Sequence, residues 1–298
     1  MHPIGLLWGL AEVGTGRMPR MTHPNPGPVV QRILLGAQLS AARELRGLST
    51  TEATKALGWY AGKLSKIEAG DVPTSDKDLL KAIRVFEIPA EEAEPLQRLA
   101  AEARRKLPPS RVPEWAAKYV HLIAAAKELK LWNSDTFPAT VQTADYARAA
   151  LTQLVTVSAA DVERMAEERV KRVTILKSAN APRLWLVVGE EALHREVGGP
   201  ETLRGQLEHV RELAKLPNVN VQVIPFDGGA HASPGVSFSI VELIEGRPGI
   251  VFVEGLTGSD YLGREHVRAY NLAFDNLRMA GLSRQRTITM LNRRIAEL

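Results

Sequence analysis

Residues 48–70 consist of LSTTEATKALGWYAGKLSKIEAG, which predicts two short helices separated by a turn at Gly58. Ser49 followed by Glu52 has the spacing of a capping box, so the first helix should begin there. Gly58 permits the positive φ of a tight turn, and Gly70 ends the second helix. A helix, a short turn containing glycine and a second helix are typical of a helix-turn-helix. An ordinary αα-hairpin has the same spacing, so the pattern alone leaves both interpretations open.

The sequence around this stretch predicts a helical N-terminal domain over residues 31–106. Three prolines within residues 107–113 favour a linker, because a residue that precedes proline resists helix. Residues 1–30 are expected to be a disordered or wrongly included tail, and Met21 begins a plausible shorter product. The five predicted helices cover residues 34–46, 50–57, 60–70, 75–87 and 91–106.

Residues 114–298 show a mixed pattern and predict an α/β (α+β) domain with a small sheet of about four strands and flanking helices. Strands are predicted where short apolar or alternating runs occur, at residues 184–188, 219–225, 236–243 and 250–254. Helices are predicted where apolar residues recur at helical spacing, at residues 114–131, 159–176, 200–213, 263–281 and 283–297.

The composition limits the possible functions. The chain of 298 residues carries a formal net charge of +4 and has no cysteine. The lack of cysteine excludes disulfides, thiolate metal sites and a cysteine nucleophile, and it fits a reducing cytoplasm. The apolar run Ile4–Ala11 is too short for a membrane span and lacks the charge pattern of a signal peptide. A cytoplasmic, nucleoid-associated protein without a membrane partner is therefore expected, and its basic charge permits nucleic acid as a partner without proving it.

Residues 34–90 resemble the helix-turn-helix domain of the phage-repressor-like (XRE-type) regulators. The resemblance rests on a first-helix arginine, Gly-Leu-Ser-Thr before the second helix, the glycine turn, and Leu-Ser-Lys-Ile-Glu-x-Gly in the third helix. It implies a lambda-repressor-like fold and binding to double-stranded DNA. It also implies a structural ion pair between Arg43 and Glu68, which joins the first helix to the third.

The resemblance and the helix-turn-helix geometry together predict the DNA-contacting residues. Lys63 and Lys66 are expected to reach phosphates or guanine. Ala61 and Gly62 stand where such domains usually contact base edges; alanine can touch a thymine methyl group and glycine offers nothing, so direct readout should be weak. Tyr60 stands where the family usually has a capping serine. The predicted contacts are Thr50, Thr51, Lys55, Tyr60, Ala61, Gly62, Lys63 and Lys66.

The second domain resembles a domain of unknown function that follows the helix-turn-helix in many actinobacterial regulators, including the WhiJ-like developmental ones. This resemblance implies a sensory or protein-interaction domain that often works with a small companion protein encoded nearby, and it supplies no ligand. It rests on five stretches in the family's order: FPATVQTADYARAAL (137–151), ERMAEERVKRVTILK (163–177), LVVGEEALHREVGGPETLRGQLEHV (186–210), PNVNVQVIPFDGGAHASPGVSFSIVEL (217–243) and VFVEGLTGSDYLG (251–263).

The residues predict no catalytic, metal or cofactor site. The histidines of the second domain are scattered without metal-ligand spacing, and no GxSxG nucleophile elbow is present. Glu190, Glu191 and Glu254 follow predicted strands, as solvated strand ends also do. Within GGAHASPG (228–235), His231 is a candidate ligand or partner contact; the alternative is an exposed histidine in a glycine-rich hairpin loop.

These observations favour a transcriptional regulator that binds DNA, as a homodimer, and whose second domain senses a ligand or a small protein partner. One alternative is a DNA-binding member of a toxin–antitoxin-like protein pair. Another is an enzyme carried on a DNA-binding module, which the missing catalytic set disfavours.

Overall fold

The computed structural model describes residues 28–105, 114–245, 249–256, 258–262 and 264–298. The linker predicted at residues 107–113 lies outside these ranges. So do the first 27 residues, which include the apolar run Ile4–Ala11 and Met21.

Residues 28–105 form the predicted helical N-terminal domain. Its first helix begins at Pro28, six residues earlier than predicted, so residues 28–30 are helical and the predicted tail is wrong at its end. Proline suits this position because the first turn of a helix needs no backbone N–H. The five helices are α1 (Pro28–Leu45), α2 (Thr50–Ala56), α3 (Lys63–Glu68), α4 (Asp76–Val85) and α5 (Ala90–Ala103).

The second domain is an α/β unit built on one mixed sheet. Its helices within the described residues are α6 (Glu114–Ala125), α7 (Ala144–Thr152), α8 (Ala159–Val173), α9 (Glu191–His194), α10 (Pro200–Leu213), α11 (Arg264–Ala280) and α12 (Arg284–Glu297). Its strands are β1 (Glu128–Asn133), β2 (Arg183–Gly189), β3 (Val219–Ile224), β4 (Phe238–Glu242), β5 (Ile250–Glu254) and β6 (Ser259–Leu262).

The sheet contains two strands more than predicted. The strand order is β3-β2-β1-β4-β5-β6. Strands β3, β2 and β1 are parallel to one another, whereas β1 with β4, β4 with β5, and β5 with β6 are antiparallel pairs. The helix predicted over residues 114–131 is wrong in its last third, because α6 ends at Ala125 and β1 follows. β1 is central and covered on both faces, so Leu129, Leu131 and Trp132 are all buried and its sequence lacks the alternation of a half-exposed strand.

Helices cover both faces of the sheet. On one face, α11 buries Phe274 and Leu277 against a cluster that includes Trp132 of β1. On the other, residues of α6 and α10 pack on strand residues such as Leu186 and Val241. This three-layer arrangement buries most residues of the central strands β1, β2 and β4.

Helix α1 belongs to both domains. Leu35 and Leu39 lie in the core of the N-terminal domain. Val30 is fully buried in the core of the second domain, and Ile33 and Leu34 pack against that core. The two domains are therefore joined by a shared helix as well as by the chain between α5 and α6.

Candidate functional site

The predicted capping box is present at the start of α2. The Ser49 Oγ accepts a hydrogen bond from the Glu52 backbone N–H over 3.2 Å, and the Glu52 carboxylate accepts one from the Ser49 N–H over 2.9 Å. The Glu52 carboxylate also accepts a hydrogen bond from the Ser49 hydroxyl over 2.6 Å, and this bond together with the one from the Ser49 N–H lowers the pKa of Glu52. At the other end of the helix, Gly58 has φ +61°, the left-handed conformation that its turn requires. The sequence between 49 and 58 thus fixes where α2 begins and ends.

A glycine immediately precedes helix α3, and no side chain caps the start of the helix. Gly62 has φ +84° and precedes the first residue of the helix. A Cβ atom there would meet no atom within 4 Å, so the backbone conformation, and not crowding, favours glycine. Gly62 was predicted as a member of the DNA-contacting set, and its position gives it a clear backbone role. Tyr60, in place of a capping serine, is 66% exposed.

Arg43 and Glu68 form a bidentate ion pair between α1 and α3. Arg43 Nε lies 2.6 Å from Glu68 Oε1, and a second Arg43 nitrogen lies 3.1 Å from Glu68 Oε2. The same guanidinium donates to the Leu48 carbonyl over 2.7 Å. The hydrogen bond and charge of Glu68 raise the pKa of Arg43 against the opposing effect of burial. This arrangement orients α3 against the first helix and the loop before α2.

The close crossing of α1 and α3 depends on Gly36, which the sequence interpretation missed. A Cβ atom at Gly36 would lie 2.4 Å from the Ile67 carbonyl oxygen and 2.5 Å from that of Glu68. Both atoms belong to backbone, which cannot turn aside as a side chain can. The available signal was a glycine inside an otherwise good helical pattern, where it usually costs stability and indicates a packing requirement.

Lys63 does not lie on the outer face of α3 as predicted. Its Nζ is 2.9 Å from Asp78 Oδ1 in α4, and it lies 4.8 Å from the centre of the Trp59 ring. Partial burial alone would raise the pKa of Asp78, but hydrogen bonds from Lys63 and Ser75 outweigh it and lower that pKa. Lys63 thus forms an ion pair between α3 and α4, and its phosphate contact stays a prediction.

We expect Lys63→Met to lower the free energy of unfolding by about 1 kcal/mol, because it leaves Asp78 partly buried without its cation. Lys66→Met, on the exposed side of the same helix, should change it by less than about 0.5 kcal/mol. Urea unfolding followed by circular dichroism measures both. Equal effects of the two substitutions would contradict the inward orientation of Lys63.

The outward side of the helix-turn-helix is polar and open to solvent. Helix α3 packs on α1 and α2, and its opposite side carries Ser65 and Lys66, which are exposed. Ser65 was not predicted. Thr50, the first residue of α2, is half-buried. The exposed members of the predicted set are Thr51, Lys55, Tyr60, Ala61, Gly62 and Lys66.

The second domain contains a cleft of about 980 Å³ that the sequence did not predict. It lies beyond the end of β1, at Asn133, and beside the start of β4, at Ser237 and Phe238. Its other walls come from α7, from α8 and from the segment that follows α9. Residues from six separate parts of the chain meet here, which explains why no local pattern indicated it.

The floor of the cleft is aromatic and hydrogen-bonded. The rings of Tyr119 and Phe252 are stacked with 4.1 Å between their centres. The Tyr119 hydroxyl is 2.9 Å from the Ser239 hydroxyl. The Gln142 amide donates to the Phe137 carbonyl over 2.7 Å, which fixes the orientation of its oxygen.

Two oppositely charged side chains line this cleft without forming an ion pair in the described structure. Arg169 donates to Gln142 Oε1 over 2.7 Å, and burial lowers its pKa to about 10. Burial raises the pKa of Glu254, although Arg169 and Arg172 oppose that shift. Glu254, predicted as a solvated strand end, lies at the edge of the cleft, open to solvent on one side and covered by the cleft walls on the other.

The glycine-rich loop is not a hairpin. It leaves β3 at one edge of the sheet and returns as β4 beside β1, so it crosses the ends of β2 and β1. His231 packs edge-on against Trp132 with 4.9 Å between ring centres, and its Nδ1 accepts a hydrogen bond from the Ser233 N–H over 3.3 Å. Histidine 231 is thus half-buried and lies outside the residues that line the cleft.

The fold and the exposed face define a helix-turn-helix protein with a second, α/β domain. A family model described as a helix-turn-helix domain matches residues 34–96. A second model, described as a domain of unknown function (DUF5753), matches residues 116–293, more than half of the chain. The chain therefore belongs to the family of proteins that carry this domain. No match was found among curated proteins or among solved structures.

Two features are absent from the described residues. None of their helices combines the length and the apolar character needed to cross a bilayer. No group of three or more potential metal-ligating side chains comes together among them.

Proposed function

We propose that this protein is an XRE-type transcriptional regulator that binds operator DNA through α3. The observation that carries the proposal is the exposed side of the α2–α3 unit, where Lys55 and Lys66 flank a surface of small and polar residues. In a helix-turn-helix the second helix enters the major groove, so this side would face the DNA. The ion pair of Arg43 and Glu68 and the glycine crossing at Gly36 hold that helix in place.

The side chains favour affinity from phosphates over readout of bases. Lys55 and Lys66 are exposed cations that can neutralise phosphates and release counterions. Ala61 and Gly62 offer little to base edges, so Ser65 is the short polar side chain on α3 best suited to a base contact. Sequence preference would then depend on DNA shape and on the spacing of two half-sites.

We expect the double variant Lys55→Ala/Lys66→Ala to bind duplex DNA more weakly and with a shallower dependence on salt. Each lost phosphate contact removes about 0.9 from the slope of log affinity against log salt, so the slope should fall by about two. Fluorescence anisotropy with a labelled duplex at several salt concentrations measures this without knowledge of the operator, because phosphate contacts also govern non-specific binding.

A charge-matched control separates local contact from overall charge. Lys177→Ala/Lys215→Ala removes the same two charges from exposed positions of the second domain. It should leave the slope close to that of the unchanged protein. A slope equally reduced in both double variants, or unchanged in the first, would rule out α3 as the DNA-contacting helix.

The proposal extends to assembly and location. A single helix-turn-helix of this size buries little DNA surface, and operators of such proteins are commonly two-fold, so the regulator would act as a homodimer. It would work in the cytoplasm at the nucleoid, and its second domain would sense a ligand or a small companion protein. No catalytic step is assigned to it. Analytical ultracentrifugation with and without DNA tests the dimer, and a monomeric complex on DNA would refute it.

A further inference from the structure

The cleft of the second domain lies where the direction of strand addition reverses. From β1 the chain adds β2 and β3 on one side, and it then returns to add β4 on the other side of β1. In open α/β sheets, ligands bind outside the carboxyl ends of strands at such a switch point. Asn133 at the end of β1 and Glu254 at the end of β5 are both at this edge, since these two strands run in the same direction. The volume of about 980 Å³ falls within the range of small-molecule sites.

Arg169 gives this cleft a preference for anions. Its hydrogen-bond partner among the described residues is the neutral Gln142 oxygen, and no described carboxylate forms an ion pair with it. A partly desolvated guanidinium without a direct ion-pair partner is costly, and a bound anion removes part of that cost. The planar guanidinium also matches the two oxygens of a carboxylate or phosphate. Gln142 is itself held by the Phe137 carbonyl, so Arg169 is oriented before any ligand arrives.

The remaining walls suit an apolar or aromatic body. Phe137, Phe238 and Phe252 line the cleft, and the ring of Tyr119 is stacked on Phe252. Glu254 adds an acceptor that could receive an ammonium or hydroxyl group of the same ligand. The lining holds three arginines and four carboxylates, and all of them except Arg169 and Glu254 form ion pairs with other side chains. Arg169 and Glu254 therefore remain beside the aromatic surfaces.

We propose that this cleft is the effector site of the second domain and binds a small organic anion, with the oxyanion on Arg169 and the apolar part against the aromatic floor. The proposal that the cleft binds an anion depends only on the geometry of the cleft. The proposal that this anion is an effector also depends on the proposed function. Packed helices connect the cleft to the proposed DNA-contacting helix, because Tyr119 belongs to α6, α6 packs on α1, and α1 crosses α3.

The test uses isothermal titration of the full chain with phenylacetate, phenyl phosphate and the neutral phenylacetamide. We expect at least one of the two anions to bind, and the amide to bind about tenfold more weakly or not at all, since it cannot form a charge-assisted hydrogen bond with Arg169. A stronger response to phenylacetate indicates a carboxylic acid as ligand, and a stronger response to phenyl phosphate indicates a phosphorylated one. No binding of either anion to the unchanged protein would overturn the proposal.

Variants assign the binding to Arg169. Arg169→Gln should weaken binding of the anion about tenfold or more, whereas Arg169→Lys, which keeps the charge, should retain part of it. Arg293→Gln is the matched control, because Arg293 is exposed on α12. Thermal unfolding of each variant shows whether the fold is retained. Unchanged binding in a folded Arg169→Gln protein would overturn the assignment. If that variant fails to fold, a folded Arg169→Lys protein that binds the anion as tightly as the unchanged protein would overturn it instead.

A separate measurement addresses the effector role. The affinity for a labelled duplex is determined with and without a saturating concentration of the anion that binds. A change of several-fold supports the effector role, and no change refutes it while the binding result stands. The affinity for DNA measured without the anion tests the proposed DNA-binding function by itself. A failure of that function can therefore be distinguished from a failure of the effector role.

Discussion

Replacing Glu68 with glutamine is expected to lower the free energy of unfolding by about 3 kcal/mol. The Arg43 side chain is only 7% exposed, and glutamine keeps the size of Glu68 but removes the charge that compensates the buried guanidinium. The ion pair also joins α1 to α3, so the affinity for DNA should fall together with stability. Urea unfolding followed by circular dichroism measures the change.

Glu87→Gln provides the matched control for this charge removal. Glu87 pairs with Arg46 at the surface, where the two side chains are 61% and 44% exposed. Exposed pairs contribute at most about 1 kcal/mol, so this variant should stay close to the unchanged protein. A similar loss of stability in both variants would show that the Arg43–Glu68 pair has no special structural role.

Gly36→Ala and Gly205→Ala are expected to change stability in opposite directions, although both place alanine inside a helix. At Gly36 the new methyl group would overlap two backbone carbonyls of α3, which must then move away; we expect a loss of at least about 2 kcal/mol and weaker DNA binding. At Gly205 in α10 nothing lies within 4 Å, so the better helix propensity of alanine should add about 0.5–1 kcal/mol.

The same urea titration compares the two glycine variants. Because the chemical change is identical, helix propensity cancels from the difference between them, and what remains is the crowding at the α1–α3 crossing. Equal stability of the two variants would mean that α1 and α3 do not approach as closely as described.

The sequence predicts the elements whose signals are local. The capping box at Ser49 and the glycine turn at Gly58 specify the helix-turn-helix, and α10 occupies the predicted residues 200–213. Prediction from the sequence fails where the signal for an element is ambiguous or short. The buried strand β1 carries apolar residues that also fit helical spacing, and β6 has only four residues, of which Asp260 is exposed.

The candidate sites depend on contacts that a sequence does not contain. Whether Lys63 faces outward is decided by Asp78 in another helix, and the close approach of α1 to α3 at Gly36 appears only in the packed domain. The cleft brings Arg169 of α8 beside Gln142 and the aromatic floor, which are far apart along the chain. Long-range packing sets these positions, so they could not be predicted from spacing.

The sharing of α1 means that the DNA-binding half is not a detachable module. A fragment ending before residue 106 would carry Val30, Ile33 and Leu34 as bare apolar surface, and the complementary fragment would lack the residues that close its core. Proteolysis between α5 and α6 would accordingly leave a nicked but associated pair. For the same reason, lengthening the connection there would not free the two halves to rotate independently.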